Sequence, residues 1–175
     1  MQETLADRLR LTGHFPGALG LLTELHARYY AEHWGFDLRF ETQVGRELSE
    51  FMARFAEGRD GFWTAFADNR FAGGVAVDGL GDPELGARLR WFIVEPRFQG
   101  LGLGGLLLAK AMDFCGRAGH GRVHLWTFRG LDGARALYER HGFVLREEHP
   151  AAPWGPEIME QLFVREEKQT KRGDA

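Results

Sequence analysis

The stretch from Arg88 to Phe128 limits the folds open to this chain more than any other. The apolar run Trp91-Phe92-Ile93-Val94 is stopped by Pro96 and passes through glycines at 100, 102, 104 and 105. It then enters a periodic segment in which Leu103, Leu107, Ala111, Phe114 and Ala118 share one helical face before Gly119. Arg122–Phe128 reads as strand again. A strand, a long helix and a second strand cannot close as a hairpin. The helix has to cross the sheet, so the two strands run parallel.

The remaining pattern surrounds that unit with antiparallel pieces. Asp7–Thr12 alternates Arg and Leu as a short strand, and Ala18–Tyr30 carries Leu21, Leu22, Leu25 and Tyr29 at helical spacing until Gly35. Asp37 is placed to cap a second helix with the stripe Phe40, Val44, Leu48, Phe51, Met52 and Phe55. Phe62–Ala67 and Phe71–Val77 are strands joined by Asp68-Asn69-Arg70, followed by a Gly/Asp/Pro-rich turn region at 78–86 and the strand Arg88–Val94. Asp132–Arg140 is a short helix, and Phe143–Glu148 and Ile158–Arg165 are the closing strands. The order β-α-α-β-β-β-α-β-α-β-β predicts an α/β chain with a central mixed sheet flanked by helices. Residues 1–165 read as a single domain, and 166–175 as a charged, disordered tail.

Composition removes several functions. Twenty-two basic against 25 acidic residues give a net charge of −3, which argues against binding nucleic acid through bulk charge. No apolar run approaches the roughly 18 residues of a spanning helix, and the first ten residues lack a signal-like apolar core, so the expected location is cytoplasmic. Cys115 is the only cysteine, which excludes an internal disulfide or a multi-cysteine metal site. It falls on the buried side of its helix, where packing is the expected role. Ser49 is the only serine and lacks the flanking glycines of a nucleophile elbow, so no serine hydrolase of that kind is present.

The loop Gln99-Gly100-Leu101-Gly102-Leu103-Gly104-Gly105 carries the functional signal. Glycines at a strand–helix junction let the backbone approach a ligand, and the unpaired N–H groups of the first helical turn suit a pyrophosphate. Gly100, Gly102 and Gly105 also fit G-x-G-x-x-G. In a dinucleotide fold those glycines directly follow the first strand, with an acidic residue about 20 positions on. Here Pro96–Gln99 intervene and Gly119-His120-Gly121-Arg122 supplies no acid. No Gly-Lys-Ser/Thr follows either, which excludes a P-loop.

A different match fits better. Arg90–Val94 with Glu95-Pro96, then Gln99-Gly100-Leu101-Gly102-Leu103-Gly104, resembles the acyl-CoA loop of the GNAT N-acetyltransferase superfamily. Ala134-Arg135-Ala136-Leu137-Tyr138-Glu139-Arg140-His141-Gly142-Phe143 is similar to the second signature of that superfamily. A narrower resemblance, in His26–Tyr30, Trp34–Asp37, Phe40-Glu41 and Leu125-Trp126-Thr127, is to GNAT proteins fused to a MarR-type regulator; a DNA-binding role is not carried over with it.

The resemblance implies an N-acetyltransferase that uses acetyl-CoA as cosubstrate, needs no metal and acts on a primary amine. Phe92, Ile93 and Val94 would bind the pantetheine arm, and Gln99, Gly100, Leu101, Gly102, Leu103 and Gly104 the pyrophosphate. Tyr138 would be the general acid that protonates the departing thiolate; the alternative is a core aromatic. Two positions depart from the pattern. Leu131 stands where an asparagine often contacts the cofactor, and Trp126 where some acetylators of protein N-termini have a glutamate base. The acceptor site implied by the fold lies near the first two helices, which makes His26, Tyr29, Tyr30, Trp34, Phe36 and Glu41 candidates; ordinary packing is the rival role for each. His26 and His33 without a third ligand do not make a metal site. The rival function is a non-catalytic acyl-CoA-binding or sensing module. Among homo-oligomers a twofold dimer is the default expectation.

Overall fold

The computed structural model describes residues 8–167. Its sheet has seven strands: β1 (Leu9–Thr12), β2 (Gly61–Ala67), β3 (Arg70–Asp82), β4 (Gly86–Val94), β5 (Arg122–Phe128), β6 (Val144–Ala151) and β7 (Ile158–Glu166). Four helices accompany them: α1 (Ala18–Trp34), α2 (Leu38–Ala53), α3 (Leu103–Ala118) and α4 (Asp132–Arg140). The spatial order is β1-β2-β3-β4-β5-β7-β6, antiparallel except for β4 against β5, so the expected mixed sheet flanked by helices is what forms.

Each face of the sheet has its own core. On one face Leu103, Leu107, Leu108, Ala111 and Cys115 of α3 pack on Val75, Val77, Leu89, Val123, Leu125 and Phe163. On the other face Leu22 and Leu25 of α1 and Phe40, Val44, Leu48 and Phe51 of α2 cover Phe62, Ala76, Trp91, Ile93 and Phe128. The Asp37 carboxylate caps α2 by accepting the Arg39 N–H at 3.0 Å. The α2 stripe ends sooner than its periodicity predicts. The helix stops at Ala53, and Phe55 lies beyond it, 37% exposed.

Two other segments differ from the sequence expectation. The region 78–86 reads as turn, but β3 runs on to Asp82 and pairs with Gly86, leaving only a tight connection. Tertiary partners override composition there. Arg54 takes the Asp78 carboxylate, and the Gly79 N–H donates to Asp60 Oδ1 at 2.8 Å. At the C-terminus, Glu166 closes β7 and the Glu167 N–H donates to Gly121 O at 2.9 Å, so the ordered chain extends into the expected tail. The rest of that tail, 168–175, and Asp7 lie outside the described residues.

Two irregularities in the middle of the sheet set up the site. From Gly74↔Ile93 to Ala76↔Arg90 the β3 chain advances two residues while β4 advances three, a bulge centred on Trp91, whose φ is +48°. The extra residue turns Arg90 and Trp91 to the same face, where the Arg90 guanidinium lies 4.1 Å over the Trp91 ring. Next to it, β4 and β5 pair only at Ala87↔Val123 and Arg88↔His124. Beyond that rung β4 stays with β3 and β5 with β7, so the two strands diverge and leave a wedge between them.

Candidate active site

The wedge opens into a cleft of about 1290 Å³, lined by Arg88–Val94 on one side and Leu125–Phe128 on the other. The edge of β4 that faces β5 has no strand partner past Arg88, so main-chain groups there remain available to a ligand. Val94 O already accepts from Gln99 Nε2 at 3.0 Å, which fastens the glycine loop to the end of the strand.

At the top of β4 the loop leads into α3. Gly100 and Gly102 have φ of +75° and +86°, and nothing lies within 4 Å of a Cβ built on either, so backbone conformation fixes these residues as glycine. Gly104 has the opposite reason: a Cβ there would meet Leu137 Cδ1 at 3.0 Å and Phe92 Cζ at 3.4 Å. Gly102 is the N-cap of α3 and offers no side-chain acceptor, which leaves the first-turn N–H groups turned outward at the mouth of the cleft.

Of the residues that the resemblance assigns to cofactor binding, Phe92, Ile93, Val94, Gln99, Gly100, Gly102 and Gly104 line this cleft. The side chains of Leu101 and Leu103 do not: Leu101 is exposed, and Leu103 packs in the core beneath the loop. Tyr138, on α4, reaches the cleft from the α3 side and packs on Phe92, with ring centroids 5.9 Å apart, and on Phe143 at 6.0 Å. Burial pushes its phenol above its ordinary value of 10, so the hydroxyl stays protonated at any working pH. Leu131 and Trp126 also line the cleft.

The candidate acceptor residues divide. His26, Tyr29, Tyr30 and Trp34, all on α1, line the cleft. Phe36 and Glu41 do not. Phe36 is buried behind the wall against Tyr30, Phe40, Phe128 and Trp154, and Glu41 is exposed on the far side of α2. The carboxylate that α2 brings to the cleft is Glu47, on the helix face that turns toward β4 and ion-paired there with Arg90. The His26 Nδ1–H donates to Leu22 O at 2.8 Å, which fixes the tautomer, and burial pulls the imidazole down to about 4. The Tyr30 phenol is raised chiefly by burial.

Sequence reasoning missed the charged half of the cleft: Glu47, Arg88, Arg90, His149 and Glu160. Arg90 bonds to Glu47 and lies 3.6 Å from Asp78 Oδ2, while His149 Nε2 donates to Glu160 Oε2 at 3.0 Å. A signal existed in Arg88-Leu89-Arg90, a strand with a cation on every second residue although helices cover both faces. Elsewhere, burial pushes the Cys115 thiol up to about 12, which leaves it inert. Among the described residues no group of His, Cys, Asp or Glu side chains is arranged to hold a metal ion, and no helix is long and apolar enough to cross a membrane.

A bulged and splayed strand pair thus carries a glycine-capped helix at its mouth and a tyrosine from the next helix in its wall. Residues 21–143 match the family model for the acetyltransferase (GNAT) family, and the chain belongs to that family. An uncharacterized N-acetyltransferase of Methanocaldococcus jannaschii is 27% identical over 124 residues, which is 68% of this chain and 54% of that protein. The chain therefore spans about half the length of that curated relative. Among solved structures, a Salmonella typhimurium protein described with its cofactor acetyl-CoA superposes with a TM-score of 0.74 at 15% identity, covering 96% of this chain and 99% of that one. A GNAT acetyltransferase from Staphylococcus aureus gives 0.74 at 16% identity, over 91% and 99%. These likenesses carry the fold.

Proposed function

We propose that the chain transfers an acetyl group from acetyl-CoA to a primary amine by direct attack, with Tyr138 as general acid. The carrying observation is the convergence in one cleft of an unpartnered β4 edge, an open α3 N-terminus and a protonated, buried phenol. The fit to acetyl-CoA follows from the same features. The open N–H groups of α3 suit a pyrophosphate, and the free strand edge suits the amide-bearing pantetheine arm.

The chemistry needs no enzyme nucleophile. The amine nitrogen forms a bond to the thioester carbonyl carbon, the C–S bond breaks, and the sulfur takes the Tyr138 proton. The nitrogen gives up its own proton to solvent in the open cleft, and the phenolate is reprotonated from water. A phenol above 10 is a poor acid toward a thiolate in water. Inside the cleft the same desolvation raises the conjugate acid of the thiolate too, which brings the two closer. General acid catalysis of this kind supplies about 10²–10⁴-fold.

Calorimetric titration with acetyl-CoA, with NAD as control, tests the binding half; the expected result is micromolar affinity for the first and none for the second. A thiol-release assay over an amine panel tests transfer. Tyr138→Phe is expected to lower turnover at least tenfold while leaving acetyl-CoA affinity unchanged. Unchanged turnover would remove the acid role. Binding with no acetylated product would favour a non-catalytic acyl-CoA sensor, a reading that draws on Trp126 standing where a base could.

A further inference from the structure

The charged half of the cleft carries an imbalance that points to the acceptor. Arg90 is fully occupied: it bonds to Glu47, approaches Asp78 and stacks on Trp91. Glu160 is held by His149. Arg88 lines the same cleft, yet its side chain makes no hydrogen bond and no ion pair among the described residues. Its Nε is sealed from solvent with no partner. The two terminal nitrogens are not sealed, so the open fork of the guanidinium faces the cavity.

An unpartnered cation in such a place costs stability. Burial and the adjacent Arg90 both disfavour the Arg88 charge, and a guanidinium keeps its charge nonetheless. Its backbone is paired on both sides, with Asp78 of β3 and His124 of β5. A planar fork matches a planar, two-oxygen anion. Net charge narrows the choice. Glu47, Asp78 and Glu160 lie within electrostatic reach of Arg88, so a doubly charged phosphate would meet three carboxylates, whereas a singly charged anion pairs with the guanidinium against less repulsion. Of these, Glu160 has no arginine partner among the described residues and lines the cleft, which favours an ammonium group nearby. Trp126 and Trp154 add apolar wall on this side.

We propose that Arg88 docks a carboxylate of the acceptor, so that the acceptor is a small amino acid rather than a simple amine or a peptide N-terminus. This rests on the acetyl-transfer reading above. The test titrates the L-amino acids and their carboxamides into the full chain, with and without bound CoA, and repeats the panel in the thiol-release assay. At least one acid is expected to bind about thirtyfold or more tightly than its own amide, the scale of a charge-assisted bidentate pair. Arg88→Gln brings that ratio close to one without changing acetyl-CoA affinity, and Arg88→Lys restores part of it. Arg88→Met, by removing an unpaired charge, raises the melting temperature, which loss of a merely structural arginine would not do.

Amides bound as well as acids, no acid bound in either state, or a preference that survives Arg88→Gln would each overturn the proposal. The two readings fail separately. Loss of acetyl-CoA binding removes the transferase, while acetyl-CoA binding with amides acetylated as readily as acids removes only the role of Arg88.

Discussion

His26 makes stability depend on pH in a window that can be worked out from its surroundings. The ring is 5% exposed, its Nδ1–H is committed to Leu22 O, and burial lowers its pKa from 6.5 to about 4. Between those values the unfolded chain binds a proton that the folded chain refuses. The stability conferred by the neutral ring is therefore complete above 6.5 and lost as the pH falls through 4. At 1.36 kcal/mol per pH unit the full span is worth roughly 3 kcal/mol, of which about 2 kcal/mol disappears between pH 7 and pH 5. His26→Asn replaces the ring with an amide that can still donate to Leu22 O and does not titrate. Urea unfolding of both proteins at half-unit pH steps isolates the effect, because other titrating groups cancel in the difference. The stability gap between wild type and variant is expected to shift by about 2 kcal/mol in favour of the variant from pH 7 to pH 5. Parallel curves across that range would refute the reasoning.

Asp60 is 2% exposed and accepts from the Ala56 and Gly79 N–H groups at 2.9 and 2.8 Å as well as from Arg59. Burial alone would raise its carboxyl, but these donors outweigh burial and hold it below 3.8. Its contribution is present above that value and lost as pH falls below it; Asp60→Asn is expected to cost about 2 kcal/mol at pH 7 and to flatten the acid limb of the stability profile. Phe51, 1% exposed with its ring 5.4 Å from that of Trp91, should cost about 3–5 kcal/mol on change to Ala, read from the urea midpoint. Gly102→Ala meets no atom within 4 Å, so its cost is purely that of φ +86° in a residue with a side chain, about 1 kcal/mol by thermal unfolding.

The elements that sequence reading placed well are those with a strong local cause. The α2 stripe, the Asp37 cap and the βα unit at Pro96–Gly105 each follow from residues close together in the chain. Tyr138 and the loop glycines came from two such local patterns, and both face the cleft. What escaped was long-range. The extension of β3 through Asp78 depends on Arg54 and Asp60, which lie in the segment after α2. Glu41 and Glu47 are both acidic residues on one helix, and only the angle at which α2 meets β4 decides which of them enters the site. Likewise Glu160 and His149 become neighbours through the β6–β7 register, where each sits opposite the other, and no local pattern announces that pairing.

The parting of β4 from β5 also has a mechanical side. Two rungs, at Ala87↔Val123 and Arg88↔His124, form a short seam between a four-stranded blade and a three-stranded one. Past the seam the blades are coupled through side chains, such as Trp34 of α1 set edge-on against Phe128 of β5 at 4.8 Å. Shear between the blades is resisted by few hydrogen bonds, so the gap is the most compliant line across the sheet. Any molecule that bonds to both edges acts as a removable brace. Its arrival stiffens the two blades into one slab, its departure lets them slide again, and the resistance of this protein to deformation rises and falls with occupancy of the cleft.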